Sequence, residues 1–193
     1  MAPELGFKLK EIPRHILDEV AISSTNIREA ILHGDFETAN KLLGYEFFFE
    51  GEVVHGDKMG RQLGYPTANL KISNEEKIIP GDGIYAVYAE MVNGQWAIGN
   101  KQSITFHNSP QDNYSATMHD SRNKGMMSIG FRPTMDGKKR VIEVNIFDFD
   151  KEIYGQTIRV YIKKYLRAEV KFNSIEELKT QIGEDKMESL RVL

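Results

Sequence analysis

The stretch Gly51 to Leu70, GEVVHGDKMGRQLGYPTANL, decides how the rest of the chain is read. It begins with strand-like alternation, passes through a run punctuated by Gly56, Gly60 and Gly64, and ends in Pro66-Thr67-Ala68-Asn69. Glycine and proline at this density predict a turn rather than a helix. Three glycines without Cβ atoms let backbone N–H groups face outward, as an anion-binding loop requires. Thr67 and Asn69 stand two apart, so an extended backbone presents their neutral oxygens on one face. Such oxygens beside a phosphate cradle suit a Mg²⁺ ion that also takes phosphate and water ligands. Read alone, the stretch is equally a phosphate-binding loop or a glycine-rich hairpin loop with two turn-forming polar residues.

Outward from this stretch the chain reads as mainly β. Phe47, Phe48, Phe49, Val53 and Val54 are β-formers. Ile84 to Val92 alternates and runs into Asn93-Gly94, a hairpin signal, with Trp96 to Ile98 beginning the return strand. Met126 to Phe131, Val141 to Phe149 and Thr157 to Ile162 are further strands, and Asp136-Gly137 marks another hairpin. Short strands separated by turns predict an antiparallel barrel or sandwich. At the C-terminal side Ser174 and Glu177 form a capping box. The helix it starts has Ile175, Leu178 and Ile182 on one face, Gly183 as a stop or kink, and Met187, Leu190 and Leu193 continuing the apolar spacing.

Ahead of the strands, Ile16 to Ile22 is a short strand or a chain end. Ser23-Ser24-Thr25 caps a helix carrying Ile27, Ala30 and Ile31 and stopped by Gly34. Asp35 caps a second, with Phe36, Ala39, Leu42 and Leu43 as its apolar face and Gly44 as its end. The polar segment 100–124 breaks the strand pattern, and a loop of that length is functional or disordered. Its His107 and His119 lack a convincing third ligand and read as exposed loop residues.

Composition excludes several classes. A formal net charge of -3 over 193 residues leaves no footprint for nucleic acid. Zero cysteines exclude disulfides, thiolate metal sites and cysteine nucleophiles, and fit a cytoplasmic location. No apolar run is long enough to span a membrane. Gly81 to Ala86 matches G-x-G-x-x-A in form but precedes a strand, the wrong context for dinucleotide binding. No GxxxxGK[ST], H-R-D or D-F-G occurs, so P-loop and protein-kinase machinery are absent. Glu143 lies within a strand-like run, where a carboxylate is ordinarily a solvated face residue.

The ordered set of motifs goes further. GxVxxG followed by GRxxGYPTANL, then PGDGIY (80–85), SIGFRPT (128–134), EVNIFDFDKEIYG (143–155) and YLRAEVKF (165–172) with its following helix, resembles the riboflavin kinase (flavokinase) family. The resemblance covers roughly 46–193 apart from the segment around 100–124. It implies a small Greek-key barrel of about six strands closed by a helix, and ATP- and Mg²⁺-dependent phosphorylation of riboflavin to FMN. In that reading Glu143 is the general base, Gly56 and Arg61 hold phosphates, and Thr67 and Asn69 bind Mg²⁺ and phosphate oxygens. The family more often has lysine where Arg61 stands. Ile146, Asp148 and Tyr154 resemble positions lining the ATP site; Arg167, Val170 and Phe172 resemble flavin contacts on a closing flap. A rival from another class is a non-catalytic barrel that binds FMN, against which Thr67, Asn69 and Glu143 stand together.

ISSTNIREAILHGDFETANKLLG (22–44) resembles the tail of the FMN adenylyltransferase domain of bacterial bifunctional riboflavin kinase/FAD synthetases, with Ser23, Ser24, Thr25 and Arg28 in its nucleotide-binding signature. No His-x-Gly-His occurs anywhere. Residues 1–44 are therefore expected to be a remnant of that domain, 45–193 the kinase domain, and the adenylyltransferase domain its partner in a full-length protein. A few polar residues at a helix start do not align two phosphorylated substrates. Pure protein given riboflavin, ATP and Mg²⁺ is thus expected to accumulate FMN and no FAD, which chromatography of the products checks.

Overall fold

A computed structural model describes residues 16–17, 20–56, 59–74, 76–92, 122–134 and 137–193. The Asn93-Gly94 turn, Trp96 to Ile98, Asp136 and most of the 100–124 segment with His107 and His119 lie outside the described residues. Two short strands, β1 (Ile16–Leu17) and β2 (Val20–Ala21), pair with each other. Helices α1 (Ser24–Leu32) and α2 (Phe36–Leu43) follow. They start where their caps predict, with Ser23 accepting from the Asn26 N–H and Asp35 from the Thr38 N–H. Gly44 ends α2 in the left-handed conformation at φ 78°.

The remainder is β3 (Phe48–Val54), α3 (Met59–Leu63), β4 (Ala68–Lys71), β5 (Gly83–Met91), β6 (Asn123–Thr134), β7 (Gly137–Ile146), β8 (Thr157–Arg167) and α4 (Ile175–Val192). Six strands close a barrel in the order β3-β4-β7-β6-β5-β8, every pairing antiparallel. Strands β5, β6 and β7 form a meander; β4 joins β7 rather than its successor β5, which is the Greek-key step. Val53, Val87, Ile129, Val144, Val160 and Ile162, each at most 2% exposed, alternate inward and fill the interior.

The helical hairpin belongs to that core. Phe36 is 2% exposed, with its ring 6.0 Å from Phe47 and 5.9 Å from Tyr85. Ile31 and Ala39 join the same cluster as the barrel's inward side chains. The two helices thus stopper the mouth where β3 and β5 begin and β8 ends.

Four details differ from the sequence reading. Met59–Leu63 is a short helix, not a turn; Gly64 at φ 88° stops it, with Tyr65 N–H on Gly60 C=O at 2.8 Å and Gly64 N–H on Arg61 C=O. Strand β7 ends at Ile146 rather than Phe149, because Phe147 and Asp148 turn and Asp148 takes φ 54°. Strand β8 runs on past Ile162 to Arg167, carried by its pairing with β5. Helix α4 is unbroken at Gly183, and its buried face is polar: Asp185 and Ser189 are buried while Met187 and Leu190 are exposed. The Arg167 guanidinium explains the buried Asp185, since it grips that carboxylate with two hydrogen bonds of 2.7 and 2.6 Å, and Gln181 donates to the same carboxylate.

Truncating Phe36 to alanine should cost about 3–5 kcal/mol, the range for deleting a buried aromatic ring. Denaturant titration of the Phe36→Ala protein checks this; a loss below about 1 kcal/mol would mean the hairpin is only loosely attached.

Candidate active site

Register builds the site. On β4, Asn69 opposes Val54 of β3 on one side and Glu143 of β7 on the other. Glu143 in turn opposes Ser128 of β6. Ala68 and Leu70 face the interior with Val144, so Asn69 and Glu143 share the outer face as a direct cross-strand pair, where Cβ atoms stand about 4.5–5.5 Å apart. Thr67 stands just ahead of β4, two residues before Asn69, with its hydroxyl against Gly60.

The glycines make room for these oxygens. A Cβ on Gly56 would overlap the Asn69 amide, and one on Gly60 would overlap the Tyr65 carbonyl and crowd the Thr67 hydroxyl. Their role is close approach more than display of free N–H groups, for the Gly64 N–H is already spent within the turn. Asn145, buried on β7, donates to the Pro66 carbonyl at 2.6 Å and fixes the entry into Thr67-Ala68-Asn69.

At the unstoppered mouth, between the end of β3, the start of β4, the end of β7 and the loop after it, lies a cleft of about 320 Å³. Arg61, Thr67, Ile146 and Tyr154, all expected at an ATP site, line it together. His55 stacks on Tyr154 at 3.9 Å between ring centres and holds that wall. Asp148 faces an adjoining cleft of about 420 Å³, lined also by Tyr65, Asn145 and Lys186, and Ile146 borders both. Gly56, Asn69 and Glu143 lie on the outer face beside the first cleft rather than inside it.

The three residues expected at the flavin have different surroundings. Arg167 is committed to Asp185, with its guanidinium 6.0 Å from the Phe172 ring. Val170 is exposed and Phe172 half-buried. Two charged residues escaped the sequence reading: Arg132 on β6, which donates to Glu143 at 3.1 Å, and Glu169, to which Arg132 donates at 3.2 Å. The signal for Arg132 was the period-two run Ser128, Gly130, Arg132 inside SIGFRPT, which puts it on the face of Glu143; no local pattern marks Glu169.

Fold and cleft place the chain among small closed antiparallel barrels with a cleft at one mouth. Comparison with known proteins narrows this. The family model described as Flavokinase, riboflavin kinase, matches residues 43–193. The bifunctional riboflavin kinase/FMN adenylyltransferase of Bacillus subtilis is 42% identical over 173 residues, covering 88% of this chain and 46% of that protein. The protein of the same description from Haemophilus influenzae is 35% identical over 180 residues, covering 93% and 49%. A crystal structure described as a macrolide-efflux protein from Streptococcus pneumoniae superposes with a TM-score of 0.70 at 35% identity, over 91% of this chain and 49% of that one. The chain belongs to the riboflavin kinase family, and it spans about half the length of the curated relatives it matches. No helix among the described residues is long and apolar enough to cross a membrane.

Replacing Gly56 by alanine should push the Asn69 amide off its rung at little cost to stability, because the crowding atoms end a movable side chain. A displaced Asn69 side-chain amide resonance in a protein that melts within a few degrees of the unaltered chain is the expected outcome.

Proposed function

We propose that this chain transfers a phosphoryl group from ATP to the ribityl 5′-hydroxyl of riboflavin, in the presence of Mg²⁺, giving FMN and ADP. The observation that carries the proposal is the Asn69–Glu143 rung, set beside a mouth cleft that Thr67 lines. Membership of the riboflavin kinase family supplies the substrate class.

The donor set fits Mg²⁺. Thr67 and Asn69 offer two neutral oxygens over glycine-lined space, and no cluster of three or more His, Cys, Asp or Glu that would suit an all-protein metal cage occurs among the described residues. Mg²⁺ ordinarily takes only one or two protein ligands and completes its shell with water and phosphate oxygens. Thr67 and Asn69 would hold the ion, which when bound neutralises charge on the phosphates.

The chain's own residues do the rest. Arg61 and the neighbouring backbone hold the phosphates, while Ile146 and Tyr154 form walls for the nucleotide at the mouth. Glu143 accepts the hydrogen bond of the 5′-hydroxyl and takes its proton as the oxygen–phosphorus bond forms and ADP leaves. Little covalent work falls to the protein in such a transfer, so orientation of the hydroxyl matters more than the strength of the base. In this reading Val170 and Phe172, just after β8, contact the flavin, and Arg167 at the end of that strand, held by Asp185, anchors the segment that covers it. The reading entails a cytoplasmic location, where ATP is available.

Incubation with riboflavin, ATP and Mg²⁺, followed by chromatography, tests the proposal; FMN and ADP in equal amounts are expected, and their absence would overturn it. Glu143→Gln should lower turnover by about 10²–10⁴ while the protein stays folded, as loss of a positioned base does. Thr67→Ala and Asn69→Ala should weaken nucleotide binding chiefly when Mg²⁺ is present. Equal losses with and without Mg²⁺ in titration calorimetry would assign both residues to holding the loop instead.

A further inference from the structure

The strand register brings one cation between two carboxylates that lie far apart in the chain. Arg132 opposes Lys139, four residues before Glu143 on β7, so its side chain runs back along the outer face of the sheet to reach Glu143 at 3.1 Å. Between them lies Gly130, whose missing side chain leaves a bare floor. Glu169, from the segment between β8 and α4, occupies that floor: a Cβ on Gly130 would overlap its carboxylate. Arg132 closes the arrangement by donating to Glu169 at 3.2 Å from its other amino group.

We propose that Arg132 is a positioning residue for phosphoryl transfer: it fixes the Glu143 carboxylate with one amino group while Glu169 fixes the other, which ties the segment 168–174 to the reacting carboxylate. The inference rests on the kinase reading above. The three side chains are 44%, 25% and 32% exposed, and pairs so open to solvent add little to stability. The β6–β7 pairing extends over ten register pairs without needing them. Their effect is geometric. A carboxylate on an open strand face would otherwise sample several rotamers, and Arg132 selects the one that aims it along the sheet. Partial burial opposes the charge on Arg132, yet the two carboxylates outweigh it and hold the guanidinium above its usual range, so it stays charged wherever the enzyme works. Closure of the segment over a flavin and alignment of Glu143 become one event, because Glu169 sits on the closing segment and shares its cation with the base.

The test compares the unaltered chain with Arg132→Ala, Arg132→Lys, Glu169→Gln and Gly130→Ala in steady-state kinetics and hydrogen exchange. Arg132→Ala should lower kcat by about 10–100-fold, the cost of small misplacements of a reacting group, and leave KM for ATP within about twofold. Arg132→Lys, which keeps the charge, should recover part of the loss. Glu169→Gln and Gly130→Ala should each lower kcat by less and raise exchange several-fold at amides 168–174. FMN formation by the unaltered chain together with an unchanged kcat in Arg132→Ala would overturn the positioning role alone. So would a lysine variant no better than alanine, or a loss confined to KM. No FMN from the unaltered chain would overturn the kinase reading and the positioning role together.

Discussion

The register of β4 governs everything at the candidate site. This strand has only four residues and is zipped on both sides, to β3 through Leu70 and Asn69 and to β7 through Ala68 and Asn69. Burial of Leu70 and Ala68 in the interior fixes which residues face out. A slip of one position would turn Asn69 into the core and a leucine onto the site, at the cost of a buried amide and a lost apolar contact. The candidate site thus depends on an apolar preference one residue away from it: hydrophobic sorting of Leu70 is what sets Asn69 against Glu143.

Much of this was legible in the chain. Alternation and turn residues mark the strands, and the caps at Ser23, Asp35 and Ser174 place the helix starts where the structure has them. The motif stretch 51–70 carries the glycines and oxygens that meet at the candidate site. What escaped depends on geometry that no local pattern records. The α4 periodicity read as an apolar face; in the fold its buried positions are Asp185 and Ser189, and Asp185 is there because Arg167, eighteen residues away, pairs with it under the helix. The end of β7 was read too far because Phe147 and Phe149 look like strand residues, while Asp148 between them adopts a left-handed backbone that ends the pairing. Arg132 was hidden for a similar reason: its contact with Glu143 is diagonal along a sheet, not across a rung.

The glycines show how one residue type is read in two ways. From sequence, Gly56, Gly60 and Gly64 suggested exposed N–H groups. In the fold, Gly64 is a helix stop with its N–H bonded, while Gly56 and Gly60 are absences of side chain that admit Asn69 and Thr67. Both readings point to the same oxygens, but only the second explains why they can approach the loop backbone so closely.

The stoppered mouth gives the barrel a polarity. With Phe36 and Ile31 packed into the end where β3 and β5 begin, the interior is solid there, and the clefts open where β3 and β7 finish. The strands act as rigid struts between a keel and a workbench. Substitutions at the keel act on the packing that holds the molecule together, while the clefted end can change its lining without disturbing that packing, because a packed interior, not a moving part, lies between them.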